Sequence, residues 1–373
     1  MQSRWNPAQI RDRNTLSLTR AEQTAIQQKM PPAAADGKFY ADAVFEGGGV
    51  RGAAFLGALR CFDDAGIQLR KVAGTSAGAI TAALIAAEFS IDELEQIIGE
   101  LDFVQQFLGE KNSRWILNGS PEDDLENPVA MLINLTLVSE QGQYSSEPFY
   151  QWLSGILADR LETFASVVGQ RRRADGSEIP WYHQRQLKIV ISDISEGEMR
   201  ILPQDLPKHY KIPPQHFSVA EAVRLSMSIP LFFEPGKLGK SAIIDGGILS
   251  NFPLWLYDTP SSKVPLCPTF GLQLTGQAGE TQKVDSALDV VQNMMTTMMV
   301  ARDRHYTRSN DQHRIIKIDT SEVTTTQFNL GNPEKDYLYA QGYATTKQFL
   351  LQRWDWKQHL KERGYREEPD RES

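Results

Sequence analysis

A serine inside a short glycine-bounded sequence is the residue of this chain best suited to covalent chemistry. Ser76 lies at the centre of the pentapeptide Gly74–Gly78, between an apolar stretch and a helix-forming run that extends to Ala87. A G-x-S-x-G sequence on a strand-to-helix turn forms a nucleophile elbow, and glycines permit the tight turn because they carry no side chain. The turn exposes the serine at a helix N-terminus, where backbone N–H groups favour developing negative charge. The sequence therefore predicts a nucleophilic serine.

Histidines are poor candidates for the base that would take the proton from Ser76. A serine–histidine–acid triad needs a late histidine, and the candidates are His305, His313 and His359. His305 lies at the predicted end of a helix, His313 precedes a predicted strand, and His359 lies in a charged tail. A solvated or capping role is favoured for each. A conventional Ser–His–Asp esterase that uses His305 or His313 is kept as an alternative.

Asp245 is a better candidate for the base. It ends the apolar strand predicted at 241–244, and Gly246 and Gly247 follow it, which lets another backbone segment approach closely. Sites in open α/β sheets form at the carboxyl ends of strands, and both Ser76 and Asp245 follow such ends. A carboxylate within hydrogen-bond reach can take the serine proton directly, so the pair predicts a dyad. The competing interpretation is a turn aspartate that bonds its own backbone.

A glycine-rich sequence, Gly47–Gly52, follows the first predicted strand. Successive glycines allow backbone N–H groups to converge into an anion-binding nest, and in acyl transfer such a nest stabilises the oxyanion. Arg51 would hold this loop in shape or contact a lipid phosphate. A nucleotide phosphate loop ranks well below this interpretation, because the lysine and Ser/Thr of a P-loop and the dinucleotide-binding spacing are missing.

The elements that position these residues alternate between strands and helices. This order predicts parallel strands joined by helical crossovers, in a three-layer α/β/α sandwich with a central, mostly parallel sheet. Strands are predicted at 40–45, 69–73, 187–191, 241–244, 269–274 and 314–318. Helices are predicted at 19–29, 53–65, 77–87, 149–165, 218–226, 284–301 and 336–351.

Composition limits the class of protein. The formal net charge of −8 argues against broad nucleic-acid binding. Two cysteines, Cys61 and Cys267, make no disulfide framework and favour a reducing cytoplasm. The polar, arginine-containing segment 1–30 predicts no signal peptide, and apolar runs are too short for a membrane span. We therefore expect a cytoplasmic protein that contacts membranes only peripherally.

Three segments are predicted along the chain. Residues 1–37 form an N-terminal arm ending in a Pro/Ala/Gly linker, 38–351 form the main domain, and 352–373 form a charged C-terminal tail. A disordered or loosely docked arm is favoured over an oligomerisation arm. The irregular segment 101–147 is interpreted as a surface elaboration, with a lid over the site as the alternative.

The three sequences together resemble the patatin-like phospholipase family, which is related to the catalytic domain of cytosolic phospholipase A2. Gly47–Gly52, Gly74–Gly78 and Asp245–Gly247 are similar to the family's G-G-G-x-[RK]-G loop, G-x-S-x-G elbow and D-G-[GA] sequence, in the same order. Residues 226–233 are similar to its small-residue/Pro/Phe segment. The resemblance covers about residues 40–350.

The resemblance implies hydrolysis of fatty acyl esters in phospholipids or lysophospholipids, at a membrane surface and without metal or organic cofactor. It implies a Ser76–Asp245 dyad without histidine. The implied oxyanion hole consists of the backbone amides of Gly48, Gly49 and Val50, supported by Arg51. One departure is Glu46, where many members have aspartate or a small residue; it is not expected to stop catalysis.

Two further alternatives remain open, together with the oligomeric state. A non-catalytic lipid-binding protein would keep its full effect after Ser76→Ala. A regulated effector that degrades membranes when activated is suggested by the unmatched arm 1–37 and the irregular segment 101–147.

Overall fold

A mixed sheet of eight strands forms the centre of the molecule. The computed structural model describes residues 5–107, 144–230, 232–260, 263–276, 297, 309–325 and 327–365. The strands are β1 Phe39–Phe45, β2 Ile67–Gly74, β3 Gln186–Asp193, β4 Glu198–Leu202, β5 Gly236–Leu238, β6 Ser241–Asp245, β7 Thr269–Thr275 and β8 Ile315–Asp319. They lie in the order β5-β6-β3-β2-β1-β7-β8, and β4 pairs with β3 outside this path.

Most of the sheet is parallel, as predicted. Strands β3, β2, β1, β7 and β8 run in one direction. Strands β4 and β6 run antiparallel to β3, and β5 runs antiparallel to β6. The short strands β4 and β5 are absent from the sequence prediction, because neither has a long apolar run.

Helices flank the sheet. The helices predicted at 19–29, 53–65, 77–87, 218–226 and 336–351 are present with bounds close to the predicted ones, whereas those at 7–14, 91–100, 103–107 and 356–362 were not predicted. The helices are α1 Pro7–Asn14, α2 Arg20–Gln28, α3 Ala54–Asp64, α4 Ala77–Ala86, α5 Ile91–Glu100, α6 Phe103–Phe107, α7 Glu147–Leu157, α8 Val219–Ser226, α9 Asn332–Gln348 and α10 Trp356–Glu362. The three-layer α/β/α prediction is confirmed. The helix predicted at 284–301 lies almost wholly outside the described residues.

Two apolar cores lie on the two faces of the sheet, because side chains alternate along each strand. Ala43 and Phe45 of β1 belong to the larger core, which also includes buried side chains of α3, α4, α8 and α9. Val44 belongs to the smaller core, beneath the 3₁₀ turn Leu254–Tyr257.

One helix is shorter than the sequence predicts. The prediction at 149–165 rests on the helical spacing of Trp152, Ile156 and Leu157, and the side chains of Leu157, Leu161 and Phe164 are buried. The helix nevertheless ends at Leu157. The later apolar residues reach the core from an irregular segment, in which Thr163 forms a bridge to Ser218. Burial at helical spacing is therefore not sufficient evidence for a helix here.

The N-terminal segment is packed on the domain rather than loosely docked. Trp5, Ile10 and Ile26 are buried in the larger core. The indole Nε1–H of Trp5 donates to the Asp336 carboxylate at 2.9 Å. The expectation of a disordered or loosely docked arm is therefore wrong for its described part, because apolar residues among many polar ones anchor it.

The C-terminal segment is also packed as far as Tyr365. Trp354, Trp356 and Leu360 are buried, and the Trp356 N–H donates to the Lys29 carbonyl at 3.0 Å. The N-terminal and C-terminal segments thus contact each other. The boundaries between the arm, main domain and tail remain predictions.

Candidate active site

Ser76 occupies a strained turn between β2 and α4. Its φ is +53° and its ψ is −122°, a combination that a residue with a side chain adopts only at an energetic cost. Neither flanking glycine has room for a side chain. A Cβ atom on Gly74 would lie 2.1 Å from the Gly78 carbonyl oxygen, and a Cβ atom on Gly78 would lie 2.3 Å from the Phe45 carbonyl oxygen. The turn therefore has the geometry predicted for a nucleophile elbow.

Buried hydrogen bonds hold the elbow in this conformation. The Ser76 backbone N–H donates to Ser226 Oγ at 3.0 Å, and the Ser226 hydroxyl donates to the Val190 carbonyl at 2.6 Å. Beside it, the Thr75 hydroxyl donates to the Ser250 carbonyl at 3.1 Å. Ser226 thus joins the elbow to β3. Sequence reasoning gave it no role; the only signal was its position in the segment similar to the family's.

The strand register brings Asp245 level with the elbow. Gly74 of β2 pairs with Ile189 of β3, and Asp245 of β6 pairs with Ile191. Ser76 is two residues beyond Gly74, just as Ile191 is two residues beyond Ile189. The two predicted catalytic residues therefore flank β3 at the same height.

The Asp245 carboxylate is buried and accepts a hydrogen bond from its own turn. It is 1% exposed. Burial raises its pKa from the ordinary 3.8 to about 6, against the lowering effect of hydrogen bonds from the Ser76 hydroxyl and the Gly247 N–H. The Gly247 bond is 2.7 Å long. The carboxylate is thus close enough to the serine for the Ser76 hydroxyl to lower its pKa, and it remains more basic than an exposed aspartate.

Gly246 permits the close approach of three segments. A Cβ at this position would lie 2.2 Å from the Val190 carbonyl oxygen and 3.0 Å from the Thr75 methyl group. The Asp245 N–H donates to the Ser228 carbonyl at 2.9 Å. The D-G-G sequence therefore fits against both β3 and the elbow.

The glycine-rich loop contacts both the elbow and the segment after Asp245. The Gly47 N–H donates to the Asn251 carbonyl at 3.1 Å, and the Asn251 side-chain amide donates to the Gly47 carbonyl at 3.1 Å. A Cβ on Gly52 would lie 2.9 Å from the Ala77 Cβ. The three predicted sequences therefore meet in one place.

One predicted oxyanion donor is engaged by another part of the chain. The Val50 N–H donates to the Thr325 carbonyl at 3.2 Å. Gly49 has a φ of +57°, and a Cβ on it would lie 2.1 Å from that same oxygen. Within the described residues, the N–H groups of Gly48 and Gly49 are bonded to no acceptor. The Thr325 contact was not foreseen from the sequence, and the oxyanion role of these amides remains a prediction.

The side chains of Arg51 and Glu46 hold the glycine-rich loop and the strand before it in place. Arg51 Nε donates to the Gly48 carbonyl at 3.3 Å; burial lowers the pKa of this guanidinium, and the Glu46 charge opposes that effect. The Glu46 carboxylate accepts from the Leu274 N–H at 2.6 Å and from Gln273 Nε2 at 3.2 Å. Glu46 therefore joins the end of β1 to β7.

A small apolar chamber adjoins Ser76. Its volume is about 270 Å³. Its lining consists of Gly49, Ser76, Ala77, Ile80, Met227, Ile229, Phe233 and Phe328. The Phe328 ring also stacks on Phe232, with centroids 5.1 Å apart. A substrate group that reaches Ser76 therefore meets hydrocarbon on most sides.

Neither described candidate histidine is near Ser76. His313 precedes the amino end of β8, whereas Ser76 follows the carboxyl end of β2, and these strands run in the same direction. The five-residue β8 separates the two sheet edges by about 16 Å. His313 Nε2 and His359 Nδ1 are 2.6 Å apart, so both rings lie at the opposite edge. His305 lies outside the described residues.

Two further properties concern the described ranges only. They contain no helix long and apolar enough to cross a membrane. They also contain no group of three or more His, Cys, Asp or Glu side chains that could hold a metal ion.

A strained serine elbow, a buried aspartate and a glycine-rich loop at one edge of a mostly parallel sheet give the layout of a serine-nucleophile hydrolase. The model of the patatin-like phospholipase family matches residues 43–257. The chain belongs to the patatin-like phospholipase family. This membership supports lipid ester hydrolase activity.

The chain is similar in sequence to bacterial proteins and in fold to solved bacterial structures. The chain is 34% identical to the uncharacterized protein YqhO of Bacillus subtilis over 322 residues, or 84% of this chain and 99% of that protein. It is 27% identical to the NTE family protein MT2641 of Mycobacterium tuberculosis over 56% of this chain and 27% of that protein. VipD from Legionella pneumophila is 18% identical and matches with a TM-score of 0.49 over 88% of this chain and 70% of VipD. The type III effector protein ExoU is 17% identical, with a TM-score of 0.39 over 87% of this chain and 54% of ExoU.

Proposed function

We propose that the protein hydrolyses fatty acyl esters of phospholipids or lysophospholipids through an acyl–Ser76 intermediate. Asp245 takes the proton from the Ser76 hydroxyl as the oxygen attacks the ester carbonyl, and gives it to the alcohol that leaves when the ester C–O bond breaks. It then takes a proton from the water that attacks the acyl–Ser76 carbonyl, and returns it to Ser76 Oγ as the fatty acid leaves. The observation that carries this proposal is the strand register that places Ser76 and the buried Asp245 beside β3 at the same height, where the Ser76 hydroxyl lowers the pKa of the Asp245 carboxylate.

The electrostatics of Asp245 suit this role. A general base works best when its pKa lies near the operating pH, and the Asp245 pKa of about 6 leaves the carboxylate largely ionised and still basic at neutral pH. In this proposal the negative charge on the ester oxygen is stabilised by the amides of Gly48 and Gly49, with Val50 and Arg51 completing the loop. No histidine, metal or organic cofactor takes part.

The substrate class follows from the family and from the apolar surroundings of Ser76. The chamber beside the serine is lined mainly by hydrocarbon, which favours a fatty acyl group over a polar acyl group. We infer that the protein acts from the cytoplasm by peripheral contact with a membrane.

Mixed phospholipid and lysophospholipid liposomes provide the test. Fatty acid release is measured by lipid mass spectrometry for the wild type, Ser76→Ala and Asp245→Asn, with His313→Ala as the control for a conventional triad and His305→Ala beside it. We expect release by the wild type and both histidine variants, and none by the dyad variants. Liposome binding without release would support the non-catalytic alternative, and loss of activity in a histidine variant would support the triad.

A regulated form of the same enzyme is the second candidate function. It is favoured by the Val50 N–H, which donates to Thr325 and so is not available to an oxyanion in this conformation. Under this alternative, residues around Thr325 must move before the hole is complete. Full turnover by the isolated protein without any activator would contradict it, whereas a long lag or dependence on an added factor would support it.

A further inference from the structure

A second, larger cavity lies between α3, α4 and α5. Its volume is about 530 Å³, part of which is open to solvent. Its apolar lining includes the side chains of Leu56, Leu59, Ile80, Leu84, Leu94 and Ile98. Covering apolar surface of this kind is favourable, and here that surface lies beside a reactive serine.

The cavity continues from the chamber that contains Ser76. Gly49, Ala77 and Ile80 line both spaces. The larger cavity extends along α4 as far as Leu84, which is eight residues beyond Ser76 and hence about 12 Å along the helix. A chain attached to an acyl group at Ser76 would therefore enter it past Ile80.

The lining offers hydrocarbon and almost no polar group. Thr81 is the one hydroxyl-bearing residue of the described lining, and its hydroxyl donates to the Ala77 carbonyl at 3.3 Å. A headgroup or a sugar would leave its own polar groups without partners there, which is costly. An alkyl chain has no polar group to leave without a partner, and its burial gains hydrophobic free energy.

The α5 wall of this cavity is held in place by buried charges. Glu95 of α5 accepts from Arg60 Nε at 2.8 Å and from the Tyr339 hydroxyl at 2.6 Å, and Arg11 of the N-terminal segment donates to it at 2.6 Å. Leu94 and Ile98, on either side of Glu95 in sequence, line the cavity. The α5 side of the cavity is therefore preformed by helix packing.

We propose that this cavity binds the alkyl part of the acyl group cleaved at Ser76, and that the α5 wall limits its length. The inference rests on the proposed function and adds the subsite that selects among substrates. Because each methylene buried from water contributes about fourfold to binding, residues of this wall set the preference between short and long chains.

Ile98→Trp narrows the cavity without touching the Ser76 chamber. Gln96→Trp is its matched control, since it adds the same bulk on the exposed side of the same helix. Hydrolysis of p-nitrophenyl butyrate, octanoate and palmitate is compared for wild type, both tryptophan variants and Ile98→Ala. We expect Ile98→Trp to lower kcat/KM for palmitate about tenfold or more and to leave butyrate nearly unchanged. Gln96→Trp should follow the wild type, and Ile98→Ala should keep or raise the palmitate rate.

The two proposals fail in different ways. An unchanged ratio of palmitate to butyrate hydrolysis in an Ile98→Trp protein that still cleaves butyrate would overturn the cavity assignment and leave the hydrolase intact. Fluorescent fatty acid binding to Ser76→Ala provides a second readout, independent of turnover. Binding weakened by Ile98→Trp but not by Gln96→Trp would support the cavity even if no ester were cleaved, and equal binding would count against it.

Discussion

Ser76 and Asp245 lie at the same height in the sheet although their strands run in opposite directions. β2 leads to Ser76 and runs parallel to β3, whereas β6 ends at Asp245 and runs antiparallel to β3. The intervening strand therefore determines their separation, and the Val190 carbonyl on β3 accepts a hydrogen bond from the Ser226 hydroxyl that supports the elbow. The proposed dyad depends on the register of three strands rather than on one loop.

The rate of ester hydrolysis should depend on pH through a single acidic group. Asp245 must be ionised to take the serine proton, and burial raises its pKa to about 6. We expect kcat/KM for a soluble ester to fall tenfold per pH unit below about 6 and to be level above it. A pH profile controlled by a group with a pKa near 7, and lost when a histidine is replaced, would contradict this account.

Asp245→Asn should stabilise the protein while abolishing its activity. With a pKa of 3.8 unfolded and about 6 folded, the native state loses stability as pH rises from 4 to 6, by about 3 kcal/mol in total. The neutral amide avoids this cost. We therefore expect the variant to melt a few degrees higher at pH 7.5, with about half the free-energy gain at pH 5. Thermal unfolding at both pH values tests this, and equal or lower stability at pH 7.5 would contradict it.

Ser226 is expected to act as a positioning residue for the elbow. Ser226→Ala removes the acceptor of the Ser76 N–H and the donor to Val190, and each buried group left unpaired costs about 1–3 kcal/mol. We expect kcat to fall about tenfold or more with little change in KM or in the pH profile.

The matched control is Ser228→Ala. Its buried hydroxyl donates to the Arg224 carbonyl at 2.9 Å rather than to a group of the elbow. Guanidinium unfolding and steady-state kinetics separate stability from turnover. If the two variants lost kcat equally, Ser226 would be an ordinary core residue.

Gly49 should tolerate no side chain. Gly49→Ala would place a methyl group 2.1 Å from the Thr325 carbonyl oxygen, at a φ of +57°. The loop must shift, and we expect at least about a hundredfold loss of kcat, as for a lost oxyanion donor. Gly155→Ala is the control: this exposed helical glycine has no atom within 4 Å of the added methyl group, so alanine should be neutral or slightly stabilising. Wild-type turnover in Gly49→Ala would remove the loop from the mechanism.

The sequence predicted the contents of the site better than the arrangement around it. The Ser76 turn and the strand ending at Asp245 are local features, because apolar runs and glycines specify them within a few residues. The direction of β6 is not local, because it depends on pairing with β3. Asp245 was therefore identified correctly from its place at the carboxyl end of a strand, but the antiparallel direction of that strand was not predicted. The Thr325 carbonyl over the glycine loop has no sequence signal at all, because it is a backbone contact between distant segments.

Covalent labelling of Ser76 tests the central proposal most directly. The native protein is treated with a fluorophosphonate, and the modified peptide is located by mass spectrometry in the wild type, Asp245→Asn, Ser226→Ala and His313→Ala. We predict stoichiometric labelling at Ser76 in the wild type and His313→Ala, slower labelling in Ser226→Ala, and almost none in Asp245→Asn. Labelling at another residue, or undiminished labelling of Ser76 in Asp245→Asn, would contradict the Ser76–Asp245 dyad.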